Sequence, residues 1–505
     1  MTSTVEVPDD ANVYAALIDP SQDPARVFIE TETGRTVAFG DIAGVTGRYA
    51  ALLEGQGVSR GAIVAGILEK SPEAIMLYLA ACRLGAIYLP VHIGLTDGEI
   101  AHILADAEPV AVVCDPARKD AVLDTGHARV LTLASDGRGT LASESDGLPE
   151  RGDLAVMAPA DPNAMVYTSG TTGKPKGALI SCGAVIWNAR ALAQSWRISP
   201  GDTLLHANPM AYGLFGTTTP ALAGGAAMIL LPKFETDAVL AQLPRVTMFS
   251  GVPTYYSRLL ADPRFDAALC ARMRLFVTGS APMRADSFAA FARRSGHVLL
   301  DRYGLTEALI VSSNTVEDAR RPDTSGLALP GSRLRVVDGQ GHEVAPGEVG
   351  KIELLQPYPF LGYWRDEAKT AAAFRDGWFI TGDFGRLDAG GYLSVLGRGA
   401  DLIITGGLNV YPKEVETAVN ALEGVFETAV IGVPHRDFGE AVVAVVQLRD
   451  GSAFDAQGAI ATLKCRLAGY KVPKRIEIVP EMPRNTLGKI QKNLLKQRFS
   501  GTFAQ

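Results

Sequence analysis

A ten-residue run rich in glycine, hydroxyl residues and lysine, at 168–177, constrains this chain more than any other stretch. The apolar residues 164–167 precede it and predict a buried strand. Glycines let backbone N–H groups approach a ligand closely, and successive N–H groups form a concavity that binds anions. Hydroxyl donors and positive charges are added by Thr168, Ser169, Thr171, Thr172, Lys174 and Lys176. The run therefore predicts a polyphosphate-binding loop that follows a strand.

This loop differs from the P-loop of the nucleoside triphosphatases. The spacing G-x-x-x-x-G-K-[ST] cannot be drawn through residues 168–177. A flexible surface turn is the alternative interpretation of a segment rich in glycine, threonine and lysine. The density of donors and cations within this one short run favours phosphate binding.

The length and charge of the chain limit its class and its partners. With 505 residues the chain is too long for one hydrophobic core, so we expect two or more domains. Apolar residues make up 47% and charged residues 20%, a balance typical of globular proteins. The formal net charge of -7 offers no basic surface for nucleic acid or an anionic membrane. We therefore expect no nucleic-acid partner and no membrane partner.

The cysteines and the apolar runs indicate a cytoplasmic protein. No C-x-x-C spacing occurs among the cysteines, which argues against zinc and against a disulfide framework. The first thirty residues contain no apolar segment of the kind that a secretory signal needs. The longest uncharged apolar run, 221–231, is too short to cross a bilayer.

The first part of the chain alternates between helical and strand patterns. Helices are predicted at 41–56 and 71–84, and strands at 62–68 and 110–114. Strands that alternate with helices indicate a parallel sheet, so the predicted fold class is α/β.

The last part of the chain reads as a small separate unit, residues 402–505. It contains a predicted helix at 413–422 and predicted strands at 429–433 and 441–446. A glycine-rich polar segment, 397–401, precedes this unit and is interpreted as an interdomain hinge.

The run at 168–177 resembles the phosphate loop of the adenylate-forming superfamily, which includes acyl-CoA synthetases, peptide-synthetase adenylation domains and luciferases. Further signatures of that superfamily follow in order at 275–282, 301–307, 378–383, 397–401, 406–412 and 483–489. The resemblance covers residues 25–495. It implies a large N-terminal AMP-binding domain of several subdomains at 1–396, a hinge at 397–401, and a small mobile α+β domain at 402–505.

The resemblance also implies where ATP and Mg²⁺ bind. Its phosphate-loop residues are Thr168, Ser169, Gly170, Thr171, Thr172, Gly173 and Lys176, and its adenine turn is Gly279, Ser280, Ala281 and Pro282. A third motif contains Asp301, Tyr303, Gly304, Thr306 and Glu307. In the family this tyrosine stacks on adenine, the threonine contacts phosphate, and the glutamate helps to hold Mg²⁺, which prefers hard oxygen ligands. Asp383 matches the carboxylate that binds the ribose hydroxyls, and Arg398 matches a ribose or phosphate contact.

The implied reaction has two half-reactions, in which a carboxylate attacks the α-phosphate of ATP and a thiol, most often CoA, then displaces AMP. Lys489 matches the family's catalytic lysine, and Thr172 and Glu307 support the same step. Asp401 matches the hinge position, and Gly406 and Gly407 are expected to meet the pantetheine arm of CoA. The family usually has lysine where this chain has Ala400, a departure at the hinge.

The choice of acid is indicated by the amino-acid sequences of three segments and by two arginines. The segments 301–307, 406–414 and 483–492 resemble the malonyl-CoA synthetase branch, where arginines pair with a second carboxylate. Arg302 and Arg258 occupy matching positions, although either can instead bond backbone or a structural acid. The segment 208–215 is shorter than in that branch and lacks its histidine, which leaves Tyr212 as the nearby hydroxyl.

Three hypotheses follow from these patterns. The first is a ligase that joins a small dicarboxylic acid to CoA, as a monomer or homodimer. The second is an adenylating enzyme with another acid or acceptor, such as a diazotising enzyme that activates nitrite with ATP and delivers it to an aryl amine. The third is a noncatalytic nucleotide-binding relative, which the presence of Thr172, Glu307, Asp383 and Lys489 disfavours.

Overall fold

A computed structural model describes residues 5–19, 21–127, 129–168, 176–280, 283, 285–317, 320–322, 324–406, 408–485 and 488–503. By its internal contacts the chain divides into two units. The first unit comprises residues 1–279, 285–334 and 354–379, and the second comprises 280–284, 335–353 and 380–505. Both contain helices and strands, which confirms the predicted mixed α/β class.

The helices of the described chain are α1 Val13–Leu17, α2 Asp41–Gly55, α3 Pro72–Arg83, α4 Asp97–Ala107, α5 Lys119–Leu123, α6 Thr140–Ser145, α7 Cys182–Ser195, α8 Met210–Gly213, α9 Thr219–Ala223, α10 Thr236–Gln242, α11 Pro253–Ala261, α12 Ala285–Ser295, α13 Glu367–Ala372, α14 Pro412–Asn420, α15 Ala456–Lys464 and α16 Lys492–Phe499. Those predicted at 41–56, 71–84 and 413–422 are confirmed as α2, α3 and α14. The side chain of Ser71 accepts a hydrogen bond from Ala74 N–H, and Pro72 opens α3, as the sequence predicts for a helix start.

The strands of the described chain are β1 Val27–Thr31, β2 Thr36–Ala38, β3 Ile63–Ile67, β4 Ile87–Val91, β5 Ala111–Cys114, β6 Val130–Thr132, β7 Pro162–Thr168, β8 Lys176–Ser181, β9 Thr203–His206, β10 Ala227–Leu230, β11 Met248–Gly251, β12 Leu275–Gly279, β13 Leu300–Leu305, β14 Leu309–Ser313, β15 Leu327–Ala328, β16 Arg333–Val337, β17 Gly350–Leu355, β18 Gly362–Tyr363, β19 Phe374–Arg375, β20 Trp378–Leu387, β21 Leu393–Arg398, β22 Ile403–Thr405, β23 Leu408–Val410, β24 Val425–His435, β25 Gly439–Leu448 and β26 Arg475–Val479. Predicted strands at 62–68, 110–114, 164–167, 429–433 and 441–446 are confirmed by β3, β5, β7, β24 and β25.

The first unit contains two largely parallel sheets, as the alternation of elements predicts. One has the strand order β15-β14-β13-β12-β11-β9-β10-β1-β2, and its central strands from β13 to β1 are parallel neighbours. The other has the order β18-β8-β7-β4-β3-β5-β6, in which β8 and β18 are antiparallel. The sheet edge at β7, β8 and β18 carries the predicted phosphate loop.

The core of the first unit lies around helices that are apolar on nearly every side. Almost all residues of α3 and α7 are buried, and they pack in one cluster with residues of both sheets. A helix that is hydrophobic all round is an interior helix, so α3 and α7 are held in place by tertiary packing rather than by an amphipathic stripe.

The second unit is built mainly on antiparallel strands. The boundaries between the two units at 334/335, 353/354 and 379/380 fall within β16, β17 and β20. These three strands belong, with β19 and β21, to a third sheet. The fourth sheet contains β22 to β26, with β24 and β25 as its long antiparallel pair. Both faces of β25 are covered by apolar side chains, which explains its uninterrupted valine and alanine run.

The division by contacts does not coincide with the boundaries expected from the resemblance. The second unit takes in 335–353 and 380–401 in addition to 402–505, so the expected hinge at 397–401 lies inside it. The domain boundaries stay a prediction. Among the helices of the described residues, none is both long and apolar enough to cross a membrane.

Candidate functional site

The phosphate loop predicted from the sequence is bounded by two paired strand ends in the first unit. Thr168 ends β7, Lys176 begins β8, and the two residues are antiparallel partners. Predicted site residues outside the described chain are Ser169, Gly170, Thr171, Thr172, Gly173, Ala281, Pro282 and Gly407. The side chain of Tyr212 also lies outside the description. These assignments stay predictions, and the described residues around them define the geometry that follows.

The Tyr-Gly-x-Thr-Glu motif forms a tight hairpin between β13 and β14. Residues 306–308 form the connection. Glycine is required at Gly304, because a Cβ atom there would lie 2.2 Å from the carbonyl oxygen of Leu309. Leu309 has a φ of 57°, the left-handed conformation that commonly completes a three-residue hairpin loop. The hairpin therefore carries Glu307 in a short, sterically defined connection.

A tyrosine that the sequence patterns did not single out holds the Glu307 carboxylate. The Tyr363 hydroxyl donates a hydrogen bond to Oε1 of Glu307 at 2.8 Å. The backbone of Tyr363 is positioned because β18 pairs with β8, where Tyr363 faces Ala178. The ammonium of Lys369 lies 4.0 Å from the centre of the Tyr363 ring, a cation–π distance. One ring thus contacts both a carboxylate and an ammonium.

The lysine that follows the loop is held by Asp366, next to α13. Nζ of Lys176 forms a salt bridge with Oδ2 of Asp366, and this bond is the largest cause that lowers the Asp366 pKa. The other carboxylate oxygen accepts a hydrogen bond from the Lys369 backbone N–H at 3.1 Å and caps α13. The pKa of Lys369 is lowered by burial and by Lys176, with Glu307 and Asp366 acting in the opposite sense.

The strand pair β12 and β13 positions Arg302. Arg302 and Gly279 are partners, and the guanidinium crosses the glycine so closely that a Cβ atom there would lie 2.7 Å from Nε. Part of Arg302 remains accessible, yet burial lowers the guanidinium pKa, and Asp301 and Tyr256 offset this only in part. Ser280 follows with a φ of 68°, an observed backbone strain of the kind that clusters at ligand sites.

The shortened segment 208–215 contains α8 and runs into a π-helix, Leu214–Thr218. Single π-helical turns are frequent at functional sites. Gly213 lies against His206, because a Cβ atom at the glycine would be 2.5 Å from the imidazole Cε1. Arg258, in contrast to Arg302, is exposed in the last turn of α11. Its role in substrate binding stays a prediction.

In the second unit, the two residues predicted to bind ribose are cross-strand partners. Asp383 of β20 faces Arg398 of β21, and Arg398 Nε lies 3.5 Å from Oδ1 of Asp383. Asp383 is 5% exposed, and its backbone N–H donates to the Thr381 hydroxyl at 3.1 Å. An ionised carboxylate is an acceptor for hydroxyl groups. The pair therefore has the chemistry that a ribose contact needs.

The predicted catalytic lysine lies in a turn of the same unit. The Lys489 backbone N–H donates to the Asn485 side chain at 2.9 Å, and the Asn485 N–H returns a bond of 2.9 Å to the Lys489 carbonyl. Lys489 is exposed as a residue, yet burial around its ammonium is the largest cause that lowers its pKa, followed by Arg398. Asp401 and Asp383 act in the opposite sense. Lys489 thus lies within electrostatic reach of the predicted ribose pair.

Two family descriptions match this chain along most of its length. Residues 18–364 match the AMP-binding enzymes, and residues 414–489 match the AMP-binding enzyme C-terminal domain. This chain belongs to the AMP-binding enzyme family. The suspected resemblance to adenylate-forming enzymes is therefore confirmed.

Relatives of this AMP-binding enzyme act on acids of different kinds. The indoleacetate–CoA ligase of Aromatoleum aromaticum is 36% identical over 479 residues, covering 92% of this chain and 93% of its own. The sulfoacetate–CoA ligase of Cupriavidus necator is 30% identical over 503 residues, covering 96% and 97%. The crystal structure of ATP-bound MatB from Rhodopseudomonas palustris matches with a TM-score of 0.95 at 43% identity, covering 98% and 100%.

This AMP-binding enzyme is therefore an AMP-forming acyl-CoA ligase, and ATP and CoA are its substrates. Within the described residues, no cluster of three or more His, Cys, Asp and Glu side chains is placed to hold a metal ion. Glu307 nevertheless suits Mg²⁺, because Mg²⁺ typically takes one or two protein carboxylates and completes its shell with phosphate oxygens and water.

The residues that the sequence patterns missed are Tyr363, Asp366 and Lys369. They lie in a segment, 362–370, that is rich in charged residues but contains no glycine-rich loop. They reach Glu307 and Lys176 only because β18 adds to β8 at the edge of the sheet. No local signal in the chain indicates such a pairing.

Proposed function

We propose that this ligase activates a small carboxylic acid that carries a second anionic group, and then transfers the acyl group to CoA. The observation that carries this proposal is Arg302, a cation partly removed from water beside Gly279. A guanidinium is the natural partner of a planar carboxylate, which it can bind through two parallel hydrogen bonds. Desolvation of the cation favours an anionic ligand, because an opposite charge stabilises the protonated form.

The chemistry is a pair of displacements. A carboxylate oxygen of the acid attacks the α-phosphorus of ATP, the bond to the β-phosphate breaks, and pyrophosphate leaves. Lys489, as a mobile point charge, is suited to the negative charge that builds up in this step. The CoA thiol then attacks the acyl carbon and AMP leaves. Asp383 and Arg398 would hold the ribose, and Glu307 would hold Mg²⁺, which would supply positive charge to neutralise the phosphates.

The test is a comparison of two acids with Arg302→Met. We expect kcat/KM for malonate to fall. The corresponding rise in activation free energy should be about 1.5–3 kcal/mol, the range for hydrogen bonds to charged groups. Butyrate, a monoacid of similar size, should lose much less. Arg293→Met is the matched control, since Arg293 is exposed on α12 and should leave both acids unchanged. Equal losses for both acids would mean that Arg302 serves folding or ATP instead.

The shortened segment 208–215 keeps a second candidate open, an adenylating enzyme that uses another acid or acceptor. A buried polar group that loses its partner costs about 1–3 kcal/mol, so a malonate site without the branch's histidine needs a substitute. With malonate, ATP and CoA, the ligase proposal predicts CoA-dependent AMP release and a malonyl thioester by mass. If malonate gives no turnover while nitrite and an aryl amine yield AMP without CoA, the diazotising function takes its place.

A further inference from the structure

Two lysines of the first unit lie side by side at the edge of the predicted phosphate loop. Lys176 directly follows the loop, and Lys369 projects from α13. Their ammonium groups are close enough that Lys176 lowers the pKa of Lys369, in addition to the larger effect of burial. Two like charges are unfavourable neighbours unless an anion lies between or beside them. Asp366 binds Lys176, and Glu307 and Asp366 act on Lys369, so the pair of lysines becomes a position for a further anion when a cation neutralises Glu307.

Hydrogen bonds and a salt bridge hold the framework around the two lysines. Asp366 fixes Lys176 through a salt bridge and caps the helix that carries Lys369. The Tyr363 N–H donates to the Thr370 hydroxyl at 2.9 Å, and that hydroxyl donates to the Asp366 carbonyl at 2.8 Å. The segment 362–370 is therefore tied to itself as well as to β8. It presents Lys369 over the Tyr363 ring without needing a ligand to order the backbone.

The charged cluster of Lys176, Lys369, Asp366 and Glu307 suits a polyphosphate rather than a single carboxylate. Lys176 and Lys369 balance Asp366 and Glu307 while no metal is bound. A divalent cation on Glu307 would leave the cluster with surplus positive charge. The β- and γ-phosphates of ATP carry the opposite charge and would be attracted to that surplus. Phosphoryl transfer is catalysed mainly by such positioning and charge stabilisation.

We propose that Lys369 binds the β- and γ-phosphates of ATP together with Lys176, and that Tyr363 positions both Lys369 and Glu307. The proposal rests on the AMP-forming ligase activity and adds a phosphate-binding residue to it. As the bond between the α-phosphorus and the bridging oxygen breaks, the electron pair passes to pyrophosphate. Lys369 stabilises the negative charge that collects there. Lys369 contributes nothing to binding of AMP, which has neither phosphate.

The test compares ligands that differ only in these phosphates. Lys369→Met keeps an unbranched stem over the Tyr363 ring but removes the charge. Calorimetric titration of the intact chain with ATP, pyrophosphate and AMP, each with Mg²⁺ and without any acid or CoA, reports the three affinities. We expect Kd for ATP and for pyrophosphate to rise about tenfold or more, as for the loss of a bond between charged groups. Kd for AMP should stay unchanged.

Two further variants complete the test. Lys369→Arg should keep the affinity for pyrophosphate, because the charge is retained. Lys233→Met removes an exposed lysine of the same unit that pairs with Glu235, and should change none of the three affinities. If Lys369→Met unfolds, Lys369→Gln takes its place.

An unchanged Kd for pyrophosphate, or an equal loss for AMP, would overturn the proposal and leave Lys369 a structural contact of Tyr363. Because no acid is present, failure here is independent of the Arg302 experiment. A chain that binds pyrophosphate through Lys369 but ignores diacids would disprove only the choice of acid.

Discussion

At the residue scale, the pKa of Lys489 depends on burial and on the charged groups around its ammonium. Burial and Arg398 lower the pKa of its ammonium, and Asp383 and Asp401 oppose that effect. We expect Lys489→Ala nearly to abolish acyl-AMP formation, measured as acid-dependent pyrophosphate release. Thiolation of acyl-AMP supplied ready-made should remain largely intact, because the charge that Lys489 stabilises builds up only in the first step.

The control for this experiment is Lys464→Ala, which removes an exposed lysine from α15 of the same unit. It should leave both half-reactions at the level of the unchanged enzyme. Equal losses of the two half-reactions in Lys489→Ala would contradict the assignment of this lysine to adenylation.

At the element scale, a buried lysine joins the two sheets of the first unit. Lys70 follows β3 and is 6% exposed. Its Nζ donates to the carbonyl of His206, at the end of β9, at 2.9 Å, and to the carbonyl of Leu231, just after β10, at 2.6 Å. Burial lowers the pKa of Lys70 to about 7, and Glu69 offsets this only in part. Removal of the ammonium from water therefore costs stability that the two carbonyl bonds partly recover.

The lowered pKa predicts a pH dependence of stability. Between pH 7 and the unperturbed lysine pKa of 10.5, the unfolded chain holds a proton that the folded chain has released. The free energy of unfolding should then rise with pH, by at most about 1.4 kcal/mol per pH unit. In thermal melts from pH 7 to pH 9, the unchanged protein should gain stability with pH relative to Lys70→Met.

Lys351→Met is the control for the melts, since Lys351 is exposed in β17, and it should keep the slope of the unchanged protein. A Lys70→Met variant whose midpoint follows pH as the parent does would show that Lys70 stays protonated in the fold throughout this range.

At the scale of the whole molecule, the C-terminal residues have a core of their own. Among the described residues, the hydrophobic clusters on the two faces of the β24–β25 pair contain only residues between 403 and 503. A fragment 402–505 should therefore fold by itself, with one cooperative thermal transition by circular dichroism. Its expected free energy of unfolding is about 5 kcal/mol or more for a domain of this length.

A longer fragment, 380–505, checks where the boundary lies. If 402–505 is an independent domain, the added residues should leave the midpoint nearly unchanged. If 402–505 is unfolded while 380–505 is folded, the boundary lies nearer residue 380, where the last stretch of the second unit begins.

The sequence by itself determined the local elements and the family. Periodicity and capping residues predicted α2, α3, β3, β5 and β7 to within about two residues, because each follows from the spacing of apolar side chains along one segment. The resemblance located Glu307 in the Tyr-Gly-x-Thr-Glu motif, although it did not predict the hairpin that carries this residue. The backbone at Gly304 excludes every larger side chain, so the constraint is visible in the residue itself.

Only the tertiary structure decided which distant residues share a site. Tyr363, Asp366 and Lys369 meet Lys176 and Glu307 because a two-residue strand pairs at a sheet edge, and no periodicity marks so short a pairing. The same holds for Lys70. In the sequence it only precedes the start of α3, and nothing there indicates its hydrogen bonds to the ends of β9 and β10. Motifs record constraints within a segment. Contacts between segments, and the pKa shifts that burial produces, exist only after the chain has packed.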